Sequence, residues 1–154
     1  LGMPYVEFTV APGTAEGIAR FYREVLGALA TVTRDGGAPT ARVVAGPHQT
    51  LRFRETTAPI PPYDGHHVQI YIANFSGPHR WLRARGLVTE ESNWYQYRFQ
   101  DIVDPDTGRV LFTVEHEVRS LLSPLYMRPL VNRNPAQRQP TYQRGRDAFV
   151  PGMS

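Results

Sequence analysis

Residues 5–27 read YVEFTVAPGTAEGIARFYREVLG, and the fold turns on how this stretch changes period. In YVEFTV, Val6, Phe8 and Val10 fall on one face and Tyr5, Glu7 and Thr9 on the other, the period of two that marks a half-buried strand. Pro12 and Gly13 break it. Thr14 stands where a helix N-cap is wanted. Ile18, Phe21, Tyr22, Val25 and Leu26 then recur at i, i+3, i+4, i+7 and i+8, one face of an amphipathic helix. Gly27 occupies the position of a left-handed helix C-terminus.

Working outward, three short strands are predicted at Ala28–Thr33, Ala41–Ala45 and Thr50–Arg54, divided by Asp35-Gly36-Gly37 and Gly46-Pro47 turns. TAPIPPYDG, residues 57–65, has three prolines and a terminal Asp-Gly, so it reads as a linker. The pattern then restarts. HVQIYI, residues 67–72, sets Val68, Ile70 and Ile72 against His67, Gln69 and Tyr71. Ser76 is expected to cap a second helix carrying Trp81 and Leu82, with Gly86 as its stop. Strands follow at Tyr95–Val103 and Val110–Val118, joined by the turn DPDTG at 104–108. The order strand, helix, strands thus occurs twice. The expected organisation is a first module over 1–57, a linker over 58–66, a second module over 67–119 and an arm over 120–154.

Composition bounds the chemistry. The 154 residues contain no cysteine, which excludes disulfides, thiolate metal sites and thiol nucleophiles. All 17 basic residues are arginine, against 14 acids. Residues 1–119 hold 12 arginines and 13 acids, a net of −1. Residues 120–154 hold five arginines and one acid, a net of +4. A basic arm invites a nucleic-acid partner. The arm also carries Leu121, Leu122, Leu125, Tyr126, Met127, Leu130 and Val131 and five prolines, so it reads instead as an extended segment lying on its own or a partner's surface. No run nears the ~18 apolar residues of a membrane helix, and no basic-then-apolar leader opens the sequence, so the expected compartment is the cytoplasm.

FYREVLG (21–27), the strand before it, the restart at His67 and DPDTG (104–108) together resemble the vicinal oxygen chelate superfamily, which includes glyoxalase I, bleomycin-resistance proteins and extradiol dioxygenases. The resemblance spans residues 4–119. It implies an α+β fold of two βαβββ modules whose mixed sheets curl about a cleft, a small-molecule ligand, and commonly a homodimer. If the chain is an enzyme, it implies a lyase, isomerase or dioxygenase. Metal-dependent members take ligands from four places, which fall here on Tyr5, on Arg52 or Arg54, on His67, and on Phe112 (Leu111 or Thr113 if Thr107 shifts the register). Only His67 is an ordinary ligand, so the resemblance departs from the metal pattern at three of four positions, and no cofactor is expected.

With the apolar faces turned inward, Tyr5, Glu7, Thr9, His67, Gln69 and Tyr71 are left to line the cleft with Arg52 and Arg54 opposite, and the resemblance adds Phe112. Glu7 and His67 are then candidates for acid–base work, and the arginines for holding an anionic or carbonyl-bearing ligand, Tyr5, Gln69, Tyr71 and Phe112 completing the walls. The same residues also admit a plain Glu–Arg pair and a hydrogen-bonded histidine. Glu115-His116-Glu117 supplies the rival. One carboxylate, Glu115, with His67 and Glu7 would suit a divalent ion such as Fe, Mn, Ni or Zn. Trp94, Tyr95 and Tyr97 fit either the cleft wall or the packing beneath it. His48 and His79 are expected at the surface.

Overall fold

The computed structural model describes residues 3–126, and most of the arm expected over 120–154 lies outside them. The first module runs β1 (Tyr5–Val10), α1 (Ala15–Glu24), β2 (Ala30–Asp35), β3 (Ala38–Gly46) and β4 (Gln49–Glu55). The second runs β5 (His67–Ile72), α2 (Ser76–Arg83), β6 (Val88–Asn93), β7 (Gln96–Val103) and β8 (Val110–Ser120). Each forms one four-stranded mixed sheet, in the orders β1-β4-β3-β2 and β5-β8-β7-β6. The first strand of each module pairs parallel with the last, which requires the helical crossover between them, and the other pairings are antiparallel. This is the α+β architecture of paired βαβββ units expected from the sequence.

The helix read from FYREVLG forms and buries the expected face: Ile18, Phe21, Tyr22, Val25 and Leu26 are all in the core. Its end is closed as Gly27 foretold. Gly27 takes φ +69°, and the Ala28 N–H donates to the Tyr22 carbonyl at 2.9 Å, a six-residue closure that only a left-handed residue permits cheaply. That closure holds Ala28 and Leu29 at the helix exit, so β2 begins at Ala30 and not at Ala28 as read from sequence.

The start of α1 differs from expectation. The Thr14 hydroxyl makes no cap; it donates to the Ala11 carbonyl at 2.6 Å. The first helical N–H, Ala15, donates to Glu55 Oε1 at 2.9 Å, so a carboxylate 40 residues away at the end of β4 meets the positive helix terminus. Glu55→Ala is expected to cost about 1 kcal/mol in urea unfolding, the worth of a lost cap, and Glu55→Gln less. In α2, likewise, Ser76 is not the cap; Asn74 Oδ1 accepts the Gly77 N–H at 3.2 Å.

One strand, β6, carries no sequence signal. VTEESN has a single apolar residue and five exposed positions, because an edge strand with no buried face needs no alternation. The DPDTG turn forms as read. Asp104 Oδ1 accepts the Thr107 N–H (2.9 Å), the Asp106 N–H and the Thr107 hydroxyl, and Gly108 adopts φ +72°. The Thr107 N–H, ahead of the other donors, holds the Asp104 carboxyl below the usual carboxylate range.

The two modules share one core, built on α1. Tyr22 lies between Phe53 of the first sheet (ring centroids 5.5 Å) and His116 of the second (5.7 Å). Phe21 meets Phe99 and Trp81. The apolar faces of both sheets therefore turn toward the helix between them, and their polar faces look away from it.

Candidate functional site

Register decides which polar side chains meet. Along the first sheet, Glu7 pairs with Arg52 and Arg52 with Arg42, while Thr9 pairs with Arg54 and Arg54 with Thr40. Cross-strand partners share a face. This face is opposite the buried Leu51, Phe53, Ala41 and Val43, so Glu7, Arg42, Arg52 and Arg54 stand together on its polar side.

These charges are poorly compensated. Arg54 Nη1 lies 3.9 Å from Glu7 Oε1, an ion pair too long for a hydrogen bond. The Arg52 guanidinium sits 3.8 Å over the Tyr5 ring, and its buried Nε has no hydrogen-bond partner among the described residues. Arg42 has no acidic partner among the described residues. Among the described residues, Arg42 and Arg52 meet no carboxylate and Arg54 has only the long pair with Glu7. Sequence reasoning passed over Arg42, although its alternation with Ala41 and Val43 in TARVV was the available signal.

Grooves then divide the expected site residues. A depression of about 530 Å³ is lined by Glu7, Glu55, Thr9 and Arg54 with Ala38, Pro39 and Thr56. A second, about 540 Å³, joins Glu7 to Phe112 and to the linker at Tyr63, Asp64 and His66. A third, about 270 Å³, brings Tyr5 to His67 and Gln69. Glu7 therefore faces Arg54 and Phe112, and His67 sits with Tyr5 instead. The exposed His67 ring has no hydrogen-bond partner among the described residues. The histidine on Glu7's groove is His66, stacked on Phe8 at 5.6 Å and bonded to Asp64.

The polar face of the second sheet is a connected ion-pair network, in which Arg98 Nε and Arg119 Nε are left without a hydrogen-bond partner among the described residues. Arg98 Nη1 donates to Glu115 Oε1 at 2.8 Å and Nη2 to Glu117 Oε2 at 2.9 Å. Arg119 Nη2 lies 2.6 Å from Glu117 Oε1, and its Nη1 donates to the Tyr71 hydroxyl at 3.3 Å. Gln100 adds a 3.4 Å bond to Glu115. Tyr71, expected to contact ligand, is thus engaged by Arg119. Linker residue Tyr63 is raised above its ordinary pKa by burial first and then by the charge of Glu115. His116 faces the opposite way, into the core, where the Tyr22 hydroxyl meets its Nε2 at 2.6 Å. Of the three aromatics left open, Tyr97 is buried and Trp94 is almost wholly exposed. His79 is half-buried and bonded to Glu91 at 2.8 Å.

The donors offered to a metal do not fit one. Tyr5 lies under a guanidinium, Arg52 and Arg54 repel a cation, and Phe112 has no lone pair to give. Glu115 is committed to Arg98 and Gln100. No three His, Asp or Glu groups converge as ligands among the described residues.

No family model and no curated relative matches the chain. Solved structures do. A protein assigned to the glyoxalase family in Bacillus anthracis superposes with a TM-score of 0.53 at 17% identity, covering 78% of this chain and 94% of its own. The fosfomycin resistance protein FosX from Listeria monocytogenes gives 0.52 at 11% identity, covering 81% and 94%, and the oxidase ChaP-H1 gives 0.52 at 20%, covering 78% and 95%. FosX has also been solved with Mn(II) and a dihydroxypropylphosphonic acid. At these identities the likeness is one of fold. The chain has the vicinal oxygen chelate fold, as FYREVLG and DPDTG had suggested.

Proposed function

We propose that this chain binds a small anionic organic molecule on the polar face of its first sheet, in the cytoplasm and as a homodimer, without a metal. The observation that carries the reading is the line of Arg42, Arg52 and Arg54, of which, among the described residues, only Arg54 reaches a carboxylate, Glu7 at 3.9 Å. Like charges opposite one another on adjacent strands repel, by roughly 0.2–1 kcal/mol for a pair. An anion bridging them relieves that repulsion, and planar guanidiniums bind carboxylate or phosphonate oxygens in pairs.

Glu7 is placed to accept a proton or hydrogen bond from the ligand's neutral end, and Phe112 supplies an apolar wall in the same groove. Tyr5 braces Arg52. His67 and Gln69 lie further along the same edge. The homodimer belongs to the reading because a second copy would cover the part of this face that Phe112 and the linker leave open.

Titration calorimetry with benzoate, phenylphosphonate and the neutral benzamide tests the binding. The two anions are expected to bind and benzamide not to. Arg42→Gln and Arg52→Gln should each weaken binding about tenfold, near 1.4 kcal/mol. Equal binding of benzamide, or anion affinity indifferent to both substitutions, defeats the proposal. Sedimentation should give twice the 17.4 kDa chain mass.

A further inference from the structure

Away from the arginine face, the second module carries a polar pocket of its own. It measures about 200 Å³ and lies where the start of α2 meets the β6–β7 hairpin, with His79, Glu91, Asn93, Trp94, Gln96 and Tyr97 around it. Asn93 pairs with Gln96, so Trp94 and Tyr95 form the two-residue turn at the hairpin tip, positions where small polar residues are usual. Trp94 is 92% exposed, so its indole contributes little to the packing of the fold. Tyr97 is buried instead. Its ring lies against Phe75 (4.9 Å between centroids) and His79 (5.1 Å), two side chains that also wall the pocket. Its hydroxyl has no hydrogen-bond partner among the described residues, an unusual state for a buried phenol. Burial pushes its pKa up, so the hydroxyl stays a donor.

The other polar groups are half used. Glu91 Oε1 is bonded to His79 Nε2 at 2.8 Å and lies 3.7 Å from Arg83 Nη1, while its Oε2 accepts nothing among the described residues. Asn93 Oδ1 accepts the Tyr95 N–H at 2.9 Å, which leaves Nδ2 as a donor. Gln96 Nε2 donates to Ser92 Oγ at 3.1 Å, which leaves Oε1 as an acceptor. Donors and acceptors therefore alternate around one small space, and Arg83 offsets the Glu91 charge. A carboxylate would suit only the donors and an ammonium only the acceptors. A hydroxyl suits both, since it donates one proton and accepts on its lone pairs. The exposed indole adds a second requirement, a ring whose polarised C–H bonds can rest on the negative face of an aromatic π system. A pyranose meets both, with hydroxyls around its rim and C–H groups on its faces.

We infer that this pocket binds a neutral pyranose sugar, with Trp94 stacked on its C–H face and its hydroxyls bonded to Tyr97 and Glu91. Tyr97 donates to a sugar oxygen, and the hydrogen of a sugar hydroxyl goes to Glu91 Oε2. Asn93 and Gln96 serve a neighbouring hydroxyl as donor and acceptor, and His79 keeps Glu91 in place. None of these residues belongs to the anion-binding face, so the two sites stand or fall separately.

The test is saturation-transfer NMR on the full chain with methyl β-D-glucopyranoside, methyl α-D-mannopyranoside and methyl β-D-galactopyranoside. At least one is expected to show saturable transfer with a dissociation constant of ~1 mM, the range of a few hydrogen bonds and one stacked ring. The same sugar should shift the indole N–H signal of Trp94 and leave that of Trp81 in place. Trp94→Ala and Tyr97→Phe should each weaken binding by about tenfold or more. Tyr97→Phe should also leave the urea midpoint unchanged, because the hydroxyl it removes bonds to nothing among the described residues; its loss of binding is then not a loss of fold. Binding of none of the three sugars, undiminished binding in either variant, or a lowered midpoint in Tyr97→Phe overturns the assignment.

Discussion

Replacing Arg98 with methionine is expected to destabilise the chain by about 2–3 kcal/mol, below the range for a fully buried pair because the Arg98 side chain is 28% exposed. Its two forks hold Glu115 and Glu117, whose side chains are only 16% and 7% exposed. Arg119 would still reach Glu117, but Glu115 would keep only the 3.4 Å bond from Gln100. The loss comes less from the pair's own attraction than from leaving the mostly buried Glu115 carboxylate without a counter-charge. That distinction can be measured. Adding Glu115→Gln and Glu117→Leu to Arg98→Met should return most of the lost stability in urea unfolding, because the stranded charges go with their partner. A single-variant loss below 1 kcal/mol would show the network to be solvated in solution.

The second large effect is a pH dependence set by His116. Burial holds its pKa down at about 4, from an ordinary 6.5, against the smaller opposing pull of the Val114 carbonyl. That carbonyl accepts from Nδ1 at 2.8 Å, which leaves Nε2 as the acceptor for the Tyr22 hydroxyl. The ring also stacks on Phe99 at 4.3 Å, so no solvent reaches it. Above pH 6.5 the ring is neutral whether folded or unfolded, and its titration costs nothing. As pH falls from 6.5 to about 4 the unfolded chain takes up a proton that the folded chain refuses, and stability drops by about 3 kcal/mol before levelling off. His116→Gln retains an acceptor for Tyr22 and removes the titration. The stability difference between the natural chain and this variant should therefore widen toward pH 4.5 in favour of the variant. A difference independent of pH between 7 and 4.5 would contradict the buried, neutral ring.

Both effects depend on residues that the sequence showed without revealing their partners. Arg98 lies between Tyr97 and Phe99, whose alternation puts it on the polar face, but nothing local says that Glu115 and Glu117 will stand beside it. Those contacts follow from the antiparallel register of β7 on β8, set by pairing across 17 and 19 residues. His116 lies between two glutamates read as sharing one face; the strand's alternation turns it the other way, into the core, where Tyr22 and Phe99 meet it. The helix caps repeat the lesson. Thr14 and Ser76 had the right chemistry in the right places, yet Glu55 and Asn74 do the capping, because Glu55 arrives from another strand and Asn74 from the preceding turn.

What the sequence determined by itself is what local physics enforces. The helix of FYREVLG with its left-handed Gly27, the period-two strands that open each module, the DPDTG turn and the duplicated βαβββ order all follow from periodicity and backbone preference within a few residues. The departures from the metal pattern at Tyr5, Arg52, Arg54 and Phe112 are likewise matters of side-chain chemistry alone. Only the tertiary structure decided how the modules meet: with α1 between them, their apolar faces turned toward it, and Glu7 parted from His67. Polar residues that look like one cleft in sequence are separated because burying both apolar faces against a shared helix dominates the free energy, and the polar faces go where that packing sends them.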